Sequence, residues 1–286
     1  MGRRLSLDHI TVTDAGPVEL VELAARSGCS GICPFLHSMS VLPAMPEYDL
    51  VGDLPLRKAM RDALDANGLG VDLIYPVTLA GRSEVKDFAP LLEAGADLGA
   101  DLANVLCYDR EPQRRRDKLA GLAELAASFG IGLAIEFYPP SQVRTLAQAL
   151  AEIDAAGRRD IGVTADVLHV LRGGEAGQSL ALLSDPRVRI AQVSDGPATM
   201  DPDRLEWEAG IQRLLPGEGV FDLTGFLAAL APGLPISVEV PQQAAMEAGV
   251  PKLERVRSAV SALRAVLDHE YVTIEPGEAH GRKAGR

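Results

Sequence analysis

The most constraining feature of this 286-residue chain is an eightfold alternation. Short apolar runs lie at 5–12, 31–36, 71–77, 101–107, 132–137, 161–166, 189–194 and 234–240. Each precedes an amphipathic segment of helical period, at 17–27, 56–66, 85–98, 113–129, 142–156, around 177–183, and at 223–230 and 252–267. Strands buried on both faces read as continuous apolar runs rather than as apolar–polar alternation. Apolar runs separated by helices predict a parallel sheet in which every connection is a helical crossover. Eight such units are what a closed (β/α)8 barrel requires. A doubly wound open sheet shows the same alternation, but with a glycine-rich fingerprint after its first strand. Here that position reads Thr13-Asp14-Ala15-Gly16-Pro17, which is no such fingerprint. The expected architecture is therefore a single α/β domain, a TIM barrel over 1–272, with a polar tail at 273–286.

Composition narrows the partners. Lys and Arg number 28 against 40 Asp and Glu, a net charge of −12, which repels phosphate backbones and anionic membranes. Aromatic residues make up only 4%, too few for the stacking platforms that bind single strands. Nucleic acid is thus excluded as the expected partner, and with it a DNA-repair nuclease. The N-terminus carries no apolar run behind its charges, and no stretch approaches a membrane span. Cys29, Cys33 and Cys107 are odd in number and lack C-x-x-C spacing, so they read as reduced, mostly buried thiols of a cytoplasmic protein. The cluster Arg114, Arg115, Arg116 and Lys118 reads as a solvated helical face. Residues 42–53 read as a lid or an oligomer contact. A small-molecule substrate and homo-oligomerisation both remain compatible.

In a parallel barrel the active site forms where strands end and loops begin. Four successive strands each bring one oxygen-bearing side chain to that position: Glu136 in Ala-Ile-Glu-Phe, Asp166 in Thr-Ala-Asp-Val, Gln192 in Ala-Gln-Val-Ser and Glu239 in Ser-Val-Glu-Val. Any one alone reads as a hydrogen-bonded strand-end group. Three carboxylates in register inside apolar runs are costly without a compensating cation. A set of carboxylates and one amide suits a hard divalent ion. His37, Tyr75 and Arg82, after the early strands, are candidates for shaping the pocket.

The segments Ile135-Glu-Phe137, Asp166-Val-Leu-His169, Gln192-Val-Ser-Asp-Gly196 and Val238-Glu-Val240 resemble those of the xylose isomerase-like barrels. That superfamily contains sugar isomerases, epimerases and related dehydratases. The resemblance implies one Mn²⁺, Mg²⁺ or Co²⁺ held by Glu136, Asp166, Gln192 and Glu239. It also implies that His169 faces the substrate beside the metal. Arg213, which opens an Arg-x-x-Pro-Gly-x-Gly run ending at Gly219, would hold a substrate hydroxyl, carboxylate or phosphate. The implied substrate is a polyhydroxy ketone or keto acid, with Glu136 and Glu239 as proton acceptor and donor on opposite faces. Many family epimerases carry His where this chain has Gln192. The Gln form is similar to 3-dehydroshikimate and keto-inositol dehydratases, so isomerisation or epimerisation and dehydration both stay open.

Overall fold

The computed structural model describes residues 3–173 and 176–274. The first half of the chain contributes β1 (Leu5–Asp8), α1 (Pro17–Arg26), β2 (Gly31–Cys33), α2 (Leu54–Asn67), β3 (Gly70–Leu79), α3 (Ala89–Asp97), β4 (Ala100–Cys107), α4 (Pro112–Ser128) and β5 (Gly132–Glu136). The second half contributes α5 (Leu146–Ala156), β6 (Ile161–Asp166), α6 (Val167–Arg172), α7 (Ala176–Leu182), β7 (Val188–Val193), α8 (Leu205–Gly210), α9 (Leu223–Ala229), β8 (Ile236–Val238), α10 (Gln243–Glu247) and α11 (Lys252–Ile274). All eight strands are parallel, each pairs with its sequence neighbours, and β1 closes on β8. The barrel expected from the alternation is therefore the fold.

Local chemistry sets the boundaries. Pro17 starts α1 and Pro112 starts α4, where a missing N–H costs nothing. Asp53, Thr145 and Asp222 cap α2, α5 and α9 by accepting backbone N–H groups of the first turn. The expected first strand, 5–12, is too long. It stops at Asp8, whose carboxylate accepts from Ile10 N at 3.1 Å and turns His9–Val12 into a 3-10 turn. Expected strand 31–36 likewise ends at Cys33, before Pro34, and 234–240 shortens to β8, which leaves Glu239 just beyond the strand. Helices α6, α8 and α10 are short and lie in loops over the carboxyl ends of the strands, where no helical period marked them. The last helix runs through Ile274 rather than stopping at 267. The rest of the expected tail, 275–286, lies outside the described residues.

The core is continuous from the barrel interior to the inner faces of the helices. Every residue of β6 is buried, as are the last four of β5 and of β7. The reading of the basic cluster as a solvated face is corrected. Arg115 is buried and forks onto Glu152 of α5 at 2.9 and 3.1 Å, while Arg114 and Lys118 clasp the buried Asp109. These cations tie α4 to α5 and to the end of β4, because two buried carboxylates needed partners. All three cysteines are free and buried, as expected. Among the described residues no helix is long and apolar enough to cross a membrane.

Candidate functional site

Strand pairing brings the expected residues to one end of the barrel. Asp166 lies opposite Gln192 across β6 and β7, Gln192 lies opposite Ser237 on β8, and Glu136 lies opposite Thr164. Above them opens a cavity of about 490 Å³. Glu136, His169, Arg213 and Glu239 line it, with Tyr75, Asn104, Tyr108 and Tyr138 around them and Leu42 and Trp207 nearer the loops. Of the three candidates after the early strands, Tyr75 is in the wall, while His37 and Arg82 are not among the lining residues. Residues Met39, Val41 and Leu42 give the long loop after β2 a place in the wall, whatever else it contacts.

Glu136, Asp166 and His169 converge most closely. Each offers one ligand atom, and these atoms lie within 4.8 Å of one another in a buried pocket. His169 Nε2 is 3.3 Å from Glu136 Oε1 and 3.4 Å from Asp166 Oδ2. Asp166 serves two structures at once. Its Oδ1 caps α6 by accepting from Leu168 N at 2.9 Å, and its Oδ2 faces the site. Helix α6 in turn fixes His169 one turn along, with the Tyr138 ring tilted against the imidazole at 4.9 Å. Glu136 is oriented by Asn104, whose amide donates to Oε2 and whose carbonyl accepts from Thr164 Oγ1 at 2.7 Å.

Glu239 joins the group through Arg213. The Arg213 Nη1 is 2.9 Å from Asp166 Oδ2 and 3.0 Å from Glu239 Oε2, and it also donates to Ser194 Oγ at 3.2 Å. Nε and Nη2 both donate to the Ala209 carbonyl, so the guanidinium is held on every edge. Gln192 stands on the neighbouring strand, with Nε2 on Tyr75 Oη at 2.6 Å and Oε1 buried without a hydrogen-bond partner.

The electrostatics are those of a site with more carboxyl groups than basic ones. Burial opposes an ionised Asp166, but Arg213 and His169 beside it outweigh that and hold its carboxyl below the ordinary range. Burial pushes Glu239 well above the ordinary range despite Arg213, and the charges of Asp166, Asp8 and Glu136 add to the rise. Burial likewise lifts Asp8 to about 7, against hydrogen bonds from Ile10 N, Tyr75 and Gln192. Asp166, Glu239 and Glu136 thus share the Arg213 guanidinium, and Asp8 stands behind Tyr75 and Gln192. A further cation fits this deficit, and oxygen donors with one imidazole suit a divalent ion. The unpartnered Gln192 Oε1 is a free acceptor of the same kind.

Sequence reasoning passed over Asn104, although it is a lone polar residue in an apolar run, the signal that marked the other four, and over Asp8, which Ser6, His9 and Thr11 of the same segment obscure. Tyr138 and Trp207 carried no such mark.

A family model described as the xylose isomerase-like TIM barrel matches residues 21–266. The chain belongs to the xylose isomerase-like TIM barrel family. Over 199 residues, 68% of its length, this family member is 33% identical to a 3-dehydroshikimate dehydratase of Pseudomonas aeruginosa, of which it covers 30%. Over 159 residues, 52% of its length, it is 26% identical to an inosose isomerase of Bacillus velezensis, of which it covers 55%. The chain therefore spans less than two thirds of either relative. Among solved structures, the IolI protein with a bound zinc atom superposes with a TM-score of 0.74 at 18% identity, covering 93% of this chain and 99% of that one. That likeness concerns the fold.

Proposed function

We propose that this barrel is a divalent-metal-dependent isomerase or epimerase that abstracts a proton next to the carbonyl of a sugar or related hydroxyketone. The carrying observation is the buried group of Glu136, Asp166 and Glu239 around the Arg213 guanidinium, at a cavity lined by Glu136, His169, Arg213 and Glu239. Glu136, Asp166, Gln192 and Glu239 would hold Mn²⁺, Mg²⁺ or Co²⁺, which would supply Lewis-acid polarisation of the substrate carbonyl. Glu239, whose burial favours the protonated form, matches a carboxylate tuned toward neutrality for proton transfer. Glu136, placed by Asn104, is its counterpart on the opposite face of the substrate. His169 and Arg213 face the cavity beside them and bind substrate hydroxyls. The three free, buried thiols support a reducing, cytoplasmic setting.

A second reading rests on Gln192 and on the 33% identity to a 3-dehydroshikimate dehydratase. If the carbanion left by proton abstraction expels a β-hydroxyl, the same residues perform dehydration. Incubation in D₂O with Mn²⁺ and a panel of ketoses, keto-inositols and 3-dehydroshikimate tests both readings. Solvent deuterium at the abstracted position without loss of water supports the isomerase or epimerase, and an alkene product supports the dehydratase. Neither exchange nor an alkene with any member of the panel would remove both. In the Glu239→Gln variant, exchange should fall by about three orders of magnitude while Mn²⁺ binding largely persists, because an amide coordinates but accepts no proton.

A further inference from the structure

Gln192 poses a problem of orientation that a carboxylate at its position would not, because only one end of an amide can ligate a cation. Two buried side chains from other strands address it. Tyr75 Oη on β3 lies 2.9 Å from Asp8 Oδ2 on β1 and 2.6 Å from Gln192 Nε2. A tyrosine hydroxyl has one proton, and a carboxylate only accepts. Tyr75 therefore donates to Asp8, and its oxygen receives from the Gln192 amide. Gln192 Nε2 also points at Asp8 Oδ2, at 3.5 Å. With the amide reversed, Oε1 would meet the lone pairs of a hydroxyl whose proton is already given away, and would approach the Asp8 carboxylate. Two attractive contacts would become two repulsive ones. In the observed orientation Oε1 is left buried and unpartnered.

We propose that Asp8 and Tyr75 are positioning residues that lock the Gln192 amide with its oxygen toward the cation. This rests on the reading of Gln192 as a metal ligand. The same device appears on the other side of the site, where Thr164 donates to the Asn104 carbonyl and so turns the Asn104 amide nitrogen to Glu136. Strands β1 and β3 carry none of the four candidate ligands. Their buried polar groups nevertheless act on one of them.

The test is Mn²⁺ titration calorimetry on chelator-stripped protein, with the melting temperature of the stripped form measured in parallel. Tyr75→Phe keeps the ring and removes the acceptor, and Mn²⁺ affinity should fall about tenfold, the lower end of what loss of an outer-shell partner of a metal ligand costs. Should that variant not fold, Asp8→Leu reads the same device. It returns the Tyr75 proton to either end of the amide, and affinity should fall similarly. In a Gln192→Glu background, where both ends are oxygens, Tyr75→Phe should change affinity by less than about twofold. A Tyr75→Phe protein that melts lower but binds Mn²⁺ as the parent does makes Tyr75 merely structural and overturns the proposal. Parent-like affinity in Gln192→Ala instead removes the ligand assignment itself.

Discussion

At the residue scale, a few buried polar side chains each serve the fold and the site together. Asp166 caps α6 with one oxygen and meets Arg213 and His169 of the site with the other. His9 is a buried group whose effect should be visible in bulk stability. It sits between the Ala15 carbonyl, 2.9 Å from Nε2, and the Phe35 amide, 3.4 Å from Nδ1, which suits the neutral imidazole. Burial holds its pKa at about 4 against an ordinary 6.5. Between those values the unfolded chain binds the extra proton and the folded chain does not. Stability should therefore fall as pH drops from 6.5 to 4, by up to about 3 kcal/mol from this group. Urea unfolding across that range should show a steeper acid slope for the parent than for His9→Gln. Equal slopes would remove His9 as the cause.

At the scale of elements, the loop bearing Arg213 is fixed by Asp195, just beyond β7. Its carboxylate accepts from Gly196 N at 2.8 Å, Gly217 N at 2.9 Å and Phe221 N at 3.0 Å. Its backbone exchanges two hydrogen bonds with Leu214, the neighbour of Arg213. A β-carbon at Gly219 would overlap the Asp195 carboxylate and the Gly196 carbonyl, so the glycine is needed for close approach. Asp195→Ala leaves three amides without their acceptor and should cost about 3 kcal/mol in denaturant unfolding. It should also lower kcat/KM more than about tenfold through displacement of Arg213. Stability lost with kcat/KM intact would separate the loop from the chemistry.

At the scale of the whole molecule, closure of β1 on β8 gathers carboxyl groups far apart in sequence into a buried floor at and beneath the cavity: Glu136 and Glu239 in its lining, Asp8 and Asp166 buried behind them. A cation that neutralises this floor binds only the folded barrel, so it stabilises by mass action, about 2.7 kcal/mol at a hundredfold excess over its Kd. Stripping the metal should lower Tm by several °C in calorimetry, and Mn²⁺ should restore it. A Tm indifferent to chelator and to added Mn²⁺ would count against a resident metal.

The sequence by itself determined the barrel, because eight apolar runs alternating with eight helical patterns leave few other ways to bury both. It also determined which strand ends carry oxygen donors, since a carboxylate inside an apolar run stands out against its neighbours. The short α6, α8 and α10 were illegible, being set by caps and loop packing rather than by periodicity. The basic stretch of α4 misled, because burial depends on partners such as Glu152 that lie 37 positions away. Only the tertiary structure decided that Arg213 bridges Asp166 to Glu239, and that Asp8 and Tyr75 meet Gln192. Pairwise contacts across a closed barrel join residues with no fixed spacing, and hydrogen-bond direction follows from where each proton already goes.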